Sequence, residues 1–111
     1  TRRAALEAAG AEVWVLPDAA VPGRVDLREL MRELAKREVN EVHVEAGPRL
    51  SGALFAAGLI DEMLFYYAPC LFGAGMGPAA VPLPAEPGAA YRWRLQSLDQ
   101  IGGDFRVLLR R

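Results

Sequence analysis

One stretch, VEAGPRLSGALFAAGLIDEMLFYYAP from Val44 to Pro69, leaves few folds open to this chain. It reads as the end of an apolar strand, a helix of small residues, and a second strand. Gly47 and Pro48 open the helix, and proline suits a first helical position because its missing N–H is harmless there. Leu50, Ala53, Leu54 and Ala57 share one helical stripe, and Gly58 closes the helix. Met63 to Ala68 form a nearly continuous apolar run, the pattern of a strand covered on both faces. Such a strand–helix–strand unit predicts parallel strands joined by a right-handed crossover.

The residues upstream carry the same pattern. TRRAALEAAG reads as helical turns closed by Gly10, and Glu12 to Leu16 as a strand ended by Pro17. Asp18 to Arg24 form a loop. Leu27, Leu30, Met31 and Leu34 then line one face of a helix. Asp26 caps that helix, with Glu29 completing a capping box. Its other face, Arg28, Arg32, Glu33, Lys36 and Arg37, is expected in solvent. EVHVE, from Glu41 to Glu45, reads as a strand with Val42 and Val44 on one side, His43 and Glu45 on the other. The order helix–strand, three times over, predicts an α/β fold with a mostly parallel sheet flanked by helices.

The tail differs. Residues 70–90 form a long Gly/Pro-rich loop, and loops of this length are often functional. YRWRLQSL and DFRVLLRR then alternate polar and apolar residues around the turn DQIGG, which predicts a C-terminal antiparallel hairpin. The 111 residues suit one domain, read here as a single, incomplete one over residues 1–111. The chain opens at Thr1 inside a helical pattern, which predicts a piece of a longer protein.

Composition narrows the function. A net charge of -1 excludes a general nucleic-acid binder, and no apolar run is of transmembrane length. The lone cysteine, Cys70, allows neither an internal disulfide nor a cysteine metal cluster. The one histidine, His43, leaves no Ser–His–acid triad and no metal constellation, and its expected role is structural. LFGAGMG does not match the dinucleotide fingerprint, because no helix follows its glycines. It reads as a rim that closes over a ligand.

The end of the Val42–Val44 strand is the best candidate site, since ligands of parallel α/β sheets bind beyond the strands' carboxyl ends. The helix after Gly47 offers backbone N–H groups at Arg49, Leu50 and Ser51 to an anion such as phosphate. Gly47, Ser51 and Gly52 leave room for close approach, and Arg49 adds a charged fork of donors. The plainer alternative makes Gly47–Pro48 a helix start and Gly52 a packing residue. Glu45 either accepts hydrogen bonds from a ligand's sugar or amine, pairs with Arg49, or caps the helix.

VEAGPRLSGALFAAGLIDEMLFYYAPCLFGAG, with the closing IGGDFRVLLRR, resembles the C-terminal reductase domain of the bifunctional riboflavin-biosynthesis deaminase/reductase family. The resemblance covers Glu41 to Gly75 and the final strand. It implies a dihydrofolate-reductase-like fold, of which this chain is the C-terminal half, and a cytoplasmic multifunctional parent enzyme with an upstream zinc deaminase domain. It implies NADPH as cofactor and a phosphoribosylamino-pyrimidine as substrate, whose ribosyl group is reduced to a ribityl chain. By the same resemblance Glu45 contacts substrate, and Gly47, Pro48, Arg49, Leu50, Ser51, Gly52 and Ala53 contact NADPH phosphates. No catalytic residue and no metal ligand is assigned. Many relatives show two glycines after the acid, where this chain has Ala46 and Gly47. Exposed strand edges predict a homo-oligomer. A related single-function pyrimidine or pterin reductase, or a non-catalytic assembly fragment, are the alternatives.

Overall fold

Every α-helix of this chain stops at a residue with left-handed backbone. In the computed structural model, which describes residues 1–111, α1 spans Arg2–Ala8, α2 Leu27–Lys36 and α3 Pro48–Ala56. The residues just past their caps, Gly10, Glu38 and Gly58, have φ of 89°, 62° and 68°. Each is followed by an amide that reaches back across the last turn: Ala11 to the Leu6 carbonyl at 3.0 Å, Val39 to Leu34 at 3.1 Å, Leu59 to Leu54 at 3.0 Å. These bonds satisfy carbonyls the helix itself leaves open. Glycine takes this conformation without cost, so Gly10 and Gly58 close their helices as expected. Glu38 does so with a side chain, at a cost of about 1 kcal/mol.

The chain divides into two units, Thr1–Val42 and His43–Arg111. In the first, Asp26 caps α2 by accepting the Glu29 amide at 2.9 Å. Leu27, Leu30, Met31 and Leu34 are half-buried along one side of the helix, while Arg28 and Arg32 are exposed. Glu29 pairs with Arg32 at 3.0 Å, and Lys36 pairs with Glu33. Arg37 is exposed as expected and makes contacts of its own. Its guanidinium forks onto both carboxylate oxygens of Glu12 at 2.7 and 2.8 Å and lies 3.9 Å from the Trp14 ring centroid. Arg37 holds the Glu12 carboxyl below its ordinary range. Glu12 to Leu16, read as a strand, pairs with no other strand. The one bridge nearby joins Pro17 to Val25 and closes the 18–24 loop.

The second unit holds one sheet, ordered β1–β3–β2, with β1 at Glu62–Tyr67, β2 at Arg94–Ile101 and β3 at Asp104–Arg110. Both pairings are antiparallel. The α/β class holds and the C-terminal hairpin forms, but these three strands contain no parallel crossover. Glu41 to Glu45, read as a strand, is also unpaired. The hairpin turns at Gly102, whose φ is 61°, so Asp99 to Ile101 belong to β2 rather than to the turn. A bulge between Leu95 and Ser97 shifts the register, which alternation alone does not reveal. Arg106 lies opposite Asp99, bonds it at 2.9 Å and keeps its carboxyl below the ordinary range.

Met63, Phe65 and Tyr67 share one sheet face with Phe105, Val107 and Leu109. Phe55 of α3 meets Tyr91 edge-on at 4.8 Å and Trp93 at 6.0 Å between ring centroids. Leu54, at 5% exposure, is the one large apolar side chain that is buried. Leu64 and Tyr66, on the other face of β1, are exposed. The double cover expected from the Met63–Ala68 run is therefore not seen at these two residues. Residues 70–90 contain only a short 3-10 turn at Pro87–Ala89.

Candidate functional site

The opening of α3 is set by three adjacent residues. Gly47 is the N-cap with φ -69° and ψ 168°, an extended conformation any residue can adopt, and Pro48 takes the first helical position. A Cβ at Gly47 would meet nothing within 4 Å. Neither backbone nor packing within this chain requires glycine there. Its consequence is that no side chain caps the helix.

The first helical N–H groups are accordingly exposed to whatever approaches. Pro48 has none. The amides of Arg49 and Leu50 find no backbone partner. The Ser51 amide, expected to be open, donates instead to the Gly47 carbonyl at 3.2 Å as the helix's first internal bond. The Ser51 hydroxyl donates to the Ala46 carbonyl at 3.3 Å. Arg49 is exposed and makes no ion pair, so its fork of donors is free. Ala46 is not in the left-handed region, so its methyl is accommodated without strain.

Glu45 stands just before this turn with its carboxylate 87% exposed. Its partner is neither Arg49 nor the helix N-terminus but His43, with Nε2 3.1 Å from Oε1. That contact places His43 and Glu45 on one side of the segment, as their alternation predicts. His43 is thus exposed and paired rather than packed. Oε2 of Glu45 remains open to an incoming donor.

Gly52 has a different surrounding. It is buried, and a Cβ there would stand 2.3 Å from the Ala80 carbonyl oxygen. The close approach that its missing side chain permits is made by this chain's own 78–80 segment. Ala53 is half-buried beside it, and Leu50 is more exposed than its stripe position suggests. Ala80 carries no local sequence signal for this role. No helix is long and apolar enough to cross a membrane.

Comparison with known proteins bears on this turn. The family described as RibD C-terminal domain matches residues 1–107. A Haemophilus influenzae protein titled riboflavin biosynthesis protein RibD is 45% identical over 82 residues, covering 73% of this chain and 22% of that protein. A Buchnera aphidicola protein titled 5-amino-6-(5-phosphoribosylamino)uracil reductase is 31% identical over 87 residues, covering 78% of this chain and 42% of that protein. The solved structure of Acinetobacter baumannii RibD superposes with a TM-score of 0.71 at 31% identity, covering 78% of this chain and 25% of that one. The chain spans from under a quarter to under half of the length of these relatives.

Proposed function

This chain belongs to the RibD C-terminal domain family, and from that premise we propose that it is the C-terminal half of a cytoplasmic reductase domain serving riboflavin biosynthesis. The activity belongs to the intact protein. It is the NADPH-dependent reduction of 5-amino-6-(5-phosphoribosylamino)uracil, the substrate after which the Buchnera relative is named, to its ribitylamino product. An upstream deaminase domain accompanies it in a multifunctional parent. The greater length of the relatives leaves space for such a domain.

The observation that carries the reading is the uncapped start of α3. Gly47 keeps side-chain bulk away, the Arg49 and Leu50 amides point out of the helix unpaired, and the helix dipole favours an anion there. A dinucleotide phosphate suits this donor set. Gly47, Pro48, Arg49, Leu50, Ser51, Gly52 and Ala53 hold it: the glycine admits it, Pro48 presets the turn, and two amides and a guanidinium donate. The Ser51 hydroxyl lies at its edge, and Gly52 and Ala53 seat the turn on the rest of the unit.

The α3 turn would hold NADPH, which when bound would supply hydride for reduction of the ribosyl carbon. The chain's own residues position the substrate. Glu45, held on one oxygen by His43, accepts hydrogen bonds from sugar hydroxyls with the other. A carboxylate at that place also favours positive charge on a ring-opened sugar–amine carbon, while the phosphate-binding turn fixes the nicotinamide's tether.

Titration calorimetry of the intact protein tests this. Saturable NADPH binding is expected, weakened at least about tenfold by Arg49→Ala through loss of a charge-assisted bond. A folded protein with no NADPH affinity overturns the reading. That outcome would favour the second reading, a non-catalytic assembly piece or homo-oligomer. The exposed Leu64, Leu95, Leu98 and Phe105 of its sheet support that alternative.

A further inference from the structure

Residues 70–80 leave the sheet after β1 and return to the opening turn of α3. Up to Ala80 they have little support of their own. Leu71, Phe72 and Met76 are 100%, 96% and 85% exposed. The one backbone hydrogen bond tying the segment to another element is from the Ala80 amide to the Pro48 carbonyl, at 2.8 Å. Beside that bond sits Gly52. An added Cβ would lie 2.3, 2.7 and 2.9 Å from the Ala80 carbonyl oxygen, carbonyl carbon and nitrogen. These are backbone atoms, so no flexible side chain can move aside. Gly52 is not in the left-handed region, so what the position demands is space alone.

The bonded carbonyl matters because of what shares its plane. The Pro48 C=O and the Arg49 N–H belong to one rigid peptide unit. That oxygen already takes the Gly52 amide within α3, and the Ala80 amide adds a second hold that limits how far the N–H on the other side can swing. Donation to that oxygen also polarises the unit and strengthens its N–H as a donor. The Arg49 amide is one of the two open donors of the turn.

We propose that Gly52 and Ala80 form an anchor that holds the 70–80 loop beside α3 and orients the Pro48–Arg49 peptide toward a bound phosphate. Both are positioning residues for the phosphate-bearing cofactor. This rests on the reading of the α3 turn given above. The loop becomes the rim of that site, and its attachment and the donor's orientation are the same contact.

Two substitutions in the intact protein break the anchor by different physics. Ala80→Pro removes the N–H and sets a ring carbon against the Pro48 oxygen, and Gly52→Ala sets a Cβ against the Ala80 backbone. Gly88→Ala, in open space and outside the left-handed region, is the control. Both anchor variants are expected to raise the KM for NADPH by about tenfold, with kcat and the pyrimidine KM within about twofold. Chymotryptic cleavage at Phe72 should quicken in both, and the control should change neither. Faster cleavage with an unchanged NADPH KM overturns the proposal, because the anchor would then be structural only. Equal rises in both KM values overturn it too. If Gly52→Ala fails to fold, Ala80→Pro decides. Loss confined to these variants concerns the anchor, whereas a wild-type protein without NADPH affinity overturns the functional reading.

Discussion

Helices α2 and α3 begin in opposite ways and end alike. α2 starts at Asp26, whose carboxylate takes up the Glu29 amide, and Glu29 adds negative charge to the first turn. α3 starts at Gly47, which offers its helix a carbonyl but no side-chain cap, and Arg49 adds positive charge. Both close through the same backward reach of two amides onto the last turn. A helix whose only task is packing satisfies its ends locally. α3 satisfies one end and leaves the first amides of the other without a partner in this chain. The difference separates a helix with both ends satisfied from one whose start is left uncapped, the feature on which the proposed anion site rests.

The comparison breaks most visibly if α3 is made to start like α2. Gly47→Asp places a carboxylate where the turn otherwise accepts an anion. NADPH binding by the intact protein should weaken by about 2 kcal/mol, roughly thirtyfold, through like-charge repulsion. Stability should rise by a few tenths of a kcal/mol, since Asp caps slightly better than Gly. Calorimetry and thermal melting of the same sample read both. A gain in stability with unchanged affinity would show that the open start is incidental. The converse substitution, Asp26→Ala, should lower stability by about 1 kcal/mol and leave NADPH affinity unaltered. The helix ends supply the smallest effect. Glu38→Gly relieves the left-handed side chain that Gly58 avoids, and denaturant unfolding should show a gain of up to about 1 kcal/mol. A loss would mean that the Glu38 side chain contributes more than its backbone costs.

The helices were legible because their signals are local. Asp26, Pro48, Gly10 and Gly58 act within a turn of where they stand, and a helix carries its hydrogen bonds inside itself. Glu12–Leu16 and Glu41–Glu45 have strand composition, yet neither is paired within this chain. A strand needs a neighbour to accept its bonds, and alternation says nothing of where that neighbour is. At the candidate site, Glu45 and the Gly47–Pro48 start were visible for the same local reason. Counting four residues from Gly47 would also have shown that the Ser51 amide is spent inside the helix. Gly52 is the opposite case. Its partner, Ala80, is a featureless residue in a loop, and only the folded backbone brings the two together.

The stacking of Arg37 over Trp14 has a practical consequence. Trp14 belongs to the first unit and Trp93, beside Phe55, to the second. The chain's two indoles are thus divided one to each unit. Each unit carries its own intrinsic fluorophore, one beneath a guanidinium and one within an aromatic cluster. Replacing either tryptophan with phenylalanine would leave an optical signal from the other unit alone, so the melting of each could be followed without a label.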